Sequence, residues 1–529
     1  MWALVRLVLA FVVTLPVLYT LKILIIDYVL DPLGLRKYPS PNFFAATTPL
    51  WLLRETWFER RSKAIHEQHQ RLGDIVRVGA NQLIFNIPEA VTDIYSHSAA
   101  RKLEKDVFYD AIAGDTHDIV NTRDRGDHSQ RRKYLSNAFA LRTVVDMEPV
   151  IRDNFQRLLD RIDTFITTDP EGKGDQVLDI RRWLNYFTLD VIGDMAFGLP
   201  MGFVRKGSDS KEGQTLDGVL YDVCSTIDAL HLGARSSVTV AQIASPQVAQ
   251  HVKHLLRCTT WLRNVSGAQH ASDFEAVYIH QLRRRLDKGI PDRPSQDFMS
   301  KVLEDRDGKS RHLPFPQLVA EAGVFMSAGS DTTTSALSST LYFLLSNPKC
   351  LQKLQEEVET RISLTEPCDI ISYDLVRDLP YLRACIDETM RLRPPLAYPL
   401  QRLVVSPEGV MIAGHHVKPG TVVAVSPYTI HRNKTLYPNP DEFNPDRWFD
   451  PAQTENLKRY NIVFSQGPRQ CLGRHIAIVE LQILVSSLTR RYDMQLAHQD
   501  QDLLVFDRFI SNVGPLPILI KRRQVGTVN

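Results

Sequence analysis

One cysteine stands apart from the others in this chain because of the residues that surround it. Cys471 ends the run Phe464-Ser-Gln-Gly-Pro-Arg-Gln-Cys, which contains Gly467 and Arg469, and Gly473 follows two residues later. A thiolate that binds iron needs backbone amides directed at its sulfur, and glycines allow the tight bend that brings them there. An aromatic ring limits the access of water, and a cation can pair with the acid groups of a flat ligand. The spacing predicts that Cys471 is a metal-binding thiolate.

A second cluster lies within the longest helical pattern, Gln317 to Ser346, which Asn347-Pro348 should end. Its middle reads Ala-Gly-Ser-Asp331-Thr332-Thr-Thr, a group of weak helix formers. A threonine hydroxyl can bond back into the preceding turn, and an acid beside a hydroxyl in an apolar helix is a candidate proton relay. A polar strip that faces solvent would have the same composition, and this stretch alone leaves both readings open.

A third cluster pairs an acid with two arginines. Glu388 and Arg391 share one helix face at i, i+3, and Arg447 follows in the segment Phe443-Asn-Pro-Asp-Arg-Trp448. A surface pair of this kind contributes only about 0–1 kcal/mol, so its meaning depends on whether it is buried.

These motifs stand in the order and separations of the cytochrome P450 family, which the chain resembles from about residue 38 onward. The haem signature Phe-x-x-Gly-x-Arg-x-Cys-x-Gly is matched at every fixed position. The resemblance implies that Cys471 is the iron ligand of haem b. It assigns Asp331 to proton delivery and Thr332 to holding dioxygen and water. It also implies that the acid and the two arginines of the third cluster form a buried network that locks the haem side of the core.

The resemblance also places cations around the haem propionates. Arg132 ends a helical segment in which His128 occupies a position where tryptophan often stands in the family, and Arg402 follows a Pro-rich segment where a second propionate ligand is common. The basic residues that could form a docking face for an acidic reductase are Arg131, Lys133 and Arg474.

The implied fold class is mainly α with small β sheets, a cytochrome P450 fold around a buried haem. Amphipathic periodicity predicts helices over 145–168, 180–197, 275–288 and 351–362, and alternation predicts strands over 74–79, 82–86, 409–414 and 417–425. Pocket walls are expected from 109–120, 325–333, 396–400 and 509–513, which are mostly apolar.

The N-terminus departs from the globular pattern. Leu7 to Ile26 contains a single charge, Lys22, and twenty residues at about 1.5 Å each just span a hydrocarbon core of about 30 Å. A cleaved signal peptide is the rival, although the apolar run is long and no Ala-x-Ala-like site follows it. We expect residues 1–37 to form a single-pass membrane anchor and connector, and 38–529 a cytosolic catalytic domain, most simply at the endoplasmic reticulum.

The composition and the net charge of the chain exclude some classes of function. The net charge of +2 gives no sign of a nucleic-acid partner, and the six scattered cysteines contain no Cys-x-x-Cys pair. No Gly-x-Gly-x-x-Gly follows a strand, so electrons must come from outside the chain. The resemblance implies NADPH through a separate reductase as their source, with cytochrome b5 as a second candidate donor. The function implied is monooxygenation of a small apolar organic substrate.

Two segments refine the resemblance. Residues 121–139 and 183–198 look like fungal enzymes related to benzoate 4-hydroxylase, many of which tailor secondary metabolites. We expect such a tailoring step rather than catabolic hydroxylation of an aromatic acid, although Arg123 or Arg125 could bind a carboxylate. A reductase-independent isomerase, dehydratase or peroxygenase, and a non-enzymatic membrane haem-binding protein, are the remaining alternatives.

Overall fold

The computed structural model describes residues 22–114, 116–167, 176–242, 246–257, 266–289, 297–305, 307–362, 370–451 and 454–523. Helices dominate, and the strands form small sheets, as the fold class predicted.

The α-helices of the N-terminal half are α1 Phe43–Thr47, α2 Leu50–Trp57, α3 Arg61–Leu72, α4 Pro88–Tyr95, α5 Phe108–Ile112, α6 Arg125–Leu135, α7 Leu141–Asp146, α8 Glu148–Thr167, α9 Ile180–Phe197, α10 Phe203–Lys206 and α11 Thr226–Val240. Those that follow are α12 Pro246–Arg257, α13 Ala268–Lys288, α14 Phe298–Leu303, α15 Phe315–Ser346, α16 Pro348–Arg361, α17 Tyr373–Val376, α18 Pro380–Leu392, α19 Pro427–Ile430, α20 Thr454–Tyr460 and α21 Arg474–Arg491. Shorter 3-10 turns cover Ala99–Arg101, Pro445–Phe449 and Gly467–Arg469, and Ile23–Leu30 is a π-helix.

The strands are β1 Ile75–Gly79, β2 Gln82–Phe85, β3 Leu103–Lys105, β4 Val177–Asp179, β5 Lys211–Gln214, β6 Leu220–Val223, β7 Arg402–Val404, β8 Val410–Ile412, β9 His415–Val417, β10 Val422–Val425, β11 Tyr492–Leu496, β12 Val505–Arg508, β13 Ile510–Val513 and β14 Pro517–Arg522. The largest sheet has the order β1-β2-β10-β7-β3, and its β2–β10 pair is parallel. A three-stranded sheet has the order β11-β14-β4, and three hairpins complete the set.

The helix α15 organises the core. It is 32 residues long, begins two residues before the predicted start, and ends at Ser346, where Asn347-Pro348 stops it. It packs against α9, α13, α18, α21 and β13. The large apolar cluster of the core draws residues from all of these helices, so α15 crosses the middle of the described structure.

The other predicted elements are found close to their expected bounds. The β1–β2 hairpin pairs antiparallel, and the predicted helices correspond to α8, α9, the second half of α13, and α16. The patch over 409–425 divides into β8, β9 and β10 rather than two strands, because a turn at the positive-φ residues Ala413 and Gly414 reverses the chain.

The N-terminal prediction falls mainly on residues 1–21, which lie outside the described residues. Among those that are described, no helix combines the length and the apolar character needed to cross a bilayer. Of the two Asn-x-Ser/Thr sequons, Asn264 also lies outside the described residues. Asn433 is 8% exposed, and its amide donates to the Asn86 carbonyl oxygen at 2.9 Å, so it is not accessible to a glycosylating enzyme.

Candidate active site

A cavity of about 640 Å³ lies between α15 and the loop that carries Cys471. Residues from all four predicted wall segments line it, among them Tyr109, Phe325, Leu396 and Phe509. The lining is mostly apolar, as expected for a site that takes an apolar ligand.

Cys471 lies between the 3-10 turn Gly467–Arg469 and the first turn of α21. Its backbone N–H donates to the Phe464 carbonyl oxygen at 2.9 Å, which closes the loop. The backbone amides of Gly473 and Arg474 donate to the sulfur. Hydrogen bonds of this kind stabilise negative charge on a thiolate, so the start of α21 prepares the sulfur to act as a ligand.

The Cys471 side chain is accessible from the cavity while the protein encloses it on other sides. Burial raises the pKa of the thiol, and the amides of Gly473 and Arg474 and the guanidinium of Arg132 act in the opposite direction. A thiol in this balance is converted to a thiolate when a cation binds at the sulfur, because metal ligation requires the deprotonated form.

Gly467 takes part in the tight bend that the sequence predicted, and it also has a second role. Its φ is +68°, and a Cβ at this position would collide with the Tyr95 carbonyl oxygen at the end of α4. The glycine therefore accommodates the backbone of a neighbouring helix. Phe464 is partly buried, lines the cavity, and lies under the Arg474 guanidinium at 5.7 Å.

Four basic side chains reach the same cavity without a carboxylate bound to them. They are Lys105 at the end of β3, Arg132 on α6, Arg402 at the start of β7, and Arg469 beside the cysteine. Arg132 donates to the Gln470 carbonyl oxygen at 2.7 Å. Lys105, Arg402 and Arg469 also donate to backbone carbonyls. In the part of the chain that the structure describes, none of the four lies within ion-pair distance of an acidic side chain.

The pKa values of these cations show that placing them close together is unfavourable. Burial lowers the pKa of Lys105 well below its ordinary value, and the charges of Arg469 and Arg402 lower it further. The pKa of Arg469 falls to about 10, through burial and then the charge of Arg402. Buried like charges without counterions are unfavourable, so the arrangement fits a ligand that carries acid groups.

His128 lies among the same cations. It is buried and lines the cavity. Burial and the charges of Arg469, Lys105 and Arg132 lower the pKa of this imidazole to about 3, so it is neutral. His128 therefore lies among these cations as an uncharged ring.

The expectation that Arg131 faces a reductase is wrong. Its side chain is 10% exposed and donates to Glu321 and to Asp127, each at 2.9 Å. It joins α6 to α15 inside the protein and is committed to these carboxylates. Lys133 and Arg474 are exposed, as that expectation requires.

On α15, Thr332 opens to the cavity, and its hydroxyl donates back to the Ala328 carbonyl oxygen at 2.6 Å. Thr334 points away from this face, because its hydroxyl meets that of Thr188 on α9 at 2.7 Å. Gly329 also faces α9, where a Cβ would lie 2.6 Å from Ile192. This glycine therefore allows two helices to approach each other beside the cavity, which it also lines.

Asp331 is buried, and both of its carboxylate oxygens accept hydrogen bonds. Its Oδ1 accepts from His231 Nε2 at 3.0 Å and from Asn185 at 3.5 Å, and its Oδ2 accepts from Asn512 at 2.8 Å. Burial opposes ionisation, but the charge and hydrogen bond of His231, the amide of Asn512 and the charge of Arg181 together hold the pKa of Asp331 below its ordinary value.

Comparison with known proteins decides the family. The sequence pattern of cytochrome P450 matches residues 46–522. The chain belongs to the cytochrome P450 family. It is similar to benzoate 4-monooxygenase bphA of Aspergillus niger, with 30% identity over 517 residues that cover 96% of this chain and 97% of that protein.

Two further relatives carry the name cytochrome P450 monooxygenase. The identity is 28% over 503 residues to cicH of Emericella nidulans, covering 93% of this chain and 95% of that protein. It is 28% over 500 residues to astJ of Aspergillus oryzae, covering 93% of each chain. This P450 is therefore an oxidoreductase of the monooxygenase family, and its family implies a haem cofactor.

The residues of this P450 fit that cofactor. Haem carries two propionates, and the four cations without acidic partners can supply their counterions. A thiol held by two amides faces the same space and could bind the haem iron as a thiolate.

The third predicted cluster forms a buried network in this P450. Arg391 donates to Glu388 at 2.8 and 2.9 Å, and Arg447 Nε donates to Glu388 Oε1 at 2.8 Å. The Trp448 indole N–H and the backbone N–H of Asn444 also donate to Glu388, so this carboxylate accepts five hydrogen bonds. Arg391 further donates to three backbone carbonyls of residues 431, 440 and 442.

The sequence reading missed the partners that lie far away along the chain. Nothing in the sequence connected His231 or Asn512 to Asp331, since 100 and 181 residues separate them. Lys105 was also missed, because the charged stretch Arg101 to Asp106 around it is typical of exposed surface.

Proposed function

We propose that this P450 is a haem-thiolate monooxygenase that inserts one atom of dioxygen into a small apolar substrate. The observation that carries the proposal is the shared cavity, into which the Cys471 thiol, the Thr332 hydroxyl and four cations without acidic partners all open. Haem, when bound, supplies the redox chemistry that activates dioxygen.

The residues of the chain would bind the haem, orient dioxygen and transfer protons. Cys471 would supply the thiolate that binds the haem iron, and the ring of Phe464 would keep water from the sulfur. Arg132, Arg402 and Arg469 hold the propionates, and Lys105 joins them because it enters the same group of charges. Thr332 orients water and dioxygen, and Asp331 takes part in moving protons to that place.

The electrons come from NADPH through a separate reductase, with cytochrome b5 as a second donor. Lys133 and Arg474 are exposed cations near the cysteine loop and suit an acidic partner surface. The N-terminal run over 7–26 would hold the protein at the endoplasmic reticulum, with the catalytic domain of 38–529 in the cytosol. Removal of residues 1–26 should release the protein from membranes with its haem spectrum intact, and loss of that spectrum in a folded truncation would contradict the assignment.

We infer a neutral apolar substrate, consistent with a tailoring step in fungal secondary metabolism. The similarity to a benzoate 4-monooxygenase favours an aromatic acid instead. Arg123, however, is paired with Asp110 at 2.6 Å, and neither it nor the exposed Arg125 lines the cavity. Spectral titration with benzoate and metabolite profiling of a deletion strain distinguish a neutral apolar substrate from an aromatic acid. A tight benzoate complex that is converted to a hydroxylated product would favour the aromatic acid.

An isomerase or peroxygenase would need neither a reductase nor dioxygen, and a haem-binding protein would form no product. The acid and alcohol at Asp331 and Thr332 favour the monooxygenase. The test supplies isotopically labelled dioxygen, NADPH and reductase. We expect one labelled oxygen atom in the product and dependence on both NADPH and reductase. An unlabelled product formed without them would overturn the proposal.

A further inference from the structure

The environment of Asp331 raises a difficulty for its assigned role. The carboxylate is 2% exposed, and three side chains donate to it. These donors stabilise the ionised form, and an ionised carboxylate has no proton to give. Proton delivery through Asp331 therefore needs a second group that protonates it.

The three donors differ in what they can do. Asn185 and Asn512 are amides, which do not release protons near neutral pH. His231 carries an imidazole, and each of its two nitrogens can bind or release a proton. Its Nε2 lies 3.0 Å from Asp331 Oδ1, which is within the range for direct transfer.

The position of His231 suits an entry point for protons. It lies on α11, which contributes other residues to the cavity wall, while the imidazole itself is 5% exposed and turned towards α15. One turn earlier on α11, Asp228 is exposed, so the surface of the protein lies close to His231 along this helix.

We propose that His231 is the proton donor that recharges Asp331, so that the relay runs from solvent through His231 and Asp331 to Thr332. In each passage the Nε2–H bond of the imidazolium breaks, and an O–H bond forms on Asp331. The neutral imidazole keeps its Nδ1–H, and a hydronium ion returns a proton to Nε2 before the next passage. The inference rests on the proposed monooxygenase function and adds a residue to it.

A purely positioning role is the alternative, in which His231 only holds Asp331 between α11 and α15. Two substitutions separate the roles. His231→Gln keeps an N–H that can donate to Asp331 but cannot pass a proton on, and His231→Phe removes both properties. The matched control is His280→Gln, because His280 also faces a carboxylate, Glu212 at 3.3 Å, but lies on α13 away from Asp331.

The experiment uses the full-length, haem-loaded protein with saturating reductase, and dioxygen is the probe, so no substrate has to be known. We measure the rate of NADPH oxidation in normal and in deuterated water, together with the CO-difference spectrum and the midpoint of thermal unfolding. We expect both His231 variants to keep the spectrum and to oxidise NADPH at least about tenfold more slowly, with a larger solvent isotope effect. His280→Gln should match the wild type.

Normal rates in His231→Gln would overturn the relay, whether His231→Phe is slow, normal or unfolded. Slow rates in the Gln variant with a normal isotope effect would also overturn it, because proton transfer would then not limit the reaction. If the wild-type protein itself gives no haem-thiolate spectrum, the proposed function fails instead, and the two failures are thereby distinguished.

Discussion

Arg447 and Glu388 are 59 residues apart in the chain and are joined by a hydrogen bond of 2.8 Å between Nε and Oε1. Their side chains are 5% and 0% exposed, and Arg391 meets the same carboxylate. The contact joins the 3-10 turn Pro445–Phe449, which precedes the cysteine loop, to α18.

We predict that Arg447→Ala prevents stable haem loading. Arg391 still compensates the charge of Glu388 in this variant, but the carboxylate and the Pro438 carbonyl each lose a hydrogen bond, which costs about 1–3 kcal/mol per group. The measurement is haem content per purified protein. The control is Arg377→Ala, whose arginine pairs with Asp374 at 3.1 Å but is 52% exposed. Equal haem content in the two variants would show that the network does not hold the site.

The group of cations predicts a second result. Lys105→Gln and Arg469→Gln should each release haem about ten- to a hundredfold faster, because a charge-assisted hydrogen bond contributes about 1.5–3 kcal/mol. The rate of haem transfer to apomyoglobin measures this. Lys133→Gln is the control, since Lys133 is exposed on the same stretch of chain as Arg132. Release at the wild-type rate in both test variants would argue that these cations do not hold the propionates.

The orientation of α15 predicts the effect of substituting Thr332. Thr332→Ala should keep haem but shift NADPH consumption from product to peroxide, because it removes the hydroxyl that faces the cavity. Thr340→Ala is a close control, because its buried hydroxyl makes the same bond to the carbonyl four residues earlier, at 2.7 Å, outside the cavity. The ratio of product to NADPH oxidised is the readout, and equal ratios in the two variants would mean that the helix is rotated differently over the haem.

A buried acid on α21 predicts a pH effect on stability. Glu480 is 3% exposed, its Oε2 has no hydrogen-bond partner among the described residues, and burial raises its pKa from 4.5 to about 8. Because the folded pKa lies above the unfolded value, the folded state binds the proton more tightly. Stability should therefore fall as pH rises from about 4.5 towards 8.

Glu480→Gln should remove this slope, which is at most about 1.4 kcal/mol per pH unit. Urea unfolding of the haem-loaded protein between about pH 5.5 and pH 8.5 measures it. The stability advantage of the variant should grow with pH, whereas Glu356→Gln, at an exposed position of α16, should show none. An advantage independent of pH would contradict the assignment of a neutral Glu480.

The sequence predicted the elements and the cysteine loop well, because their signals are local. The residues Phe464 to Gly473 and the periodicity of α15 each lie in one continuous stretch, and Asn347-Pro348 marks the helix end.

The residues that the sequence misread are those whose role depends on a neighbour brought in by the fold. Arg131 looks like a surface cation until Glu321 approaches it from α15. His231 has no motif of its own, and only the packing of α11 on the core gives it a partner.

The most direct test of the central claim is the reduced CO-difference spectrum of Cys471→Ala beside that of Cys224→Ala, an exposed free cysteine outside the cavity. We predict the thiolate-haem spectrum in the wild-type protein and in Cys224→Ala, and its loss in Cys471→Ala. A thiolate-haem spectrum that persists in Cys471→Ala would show that another residue binds the iron.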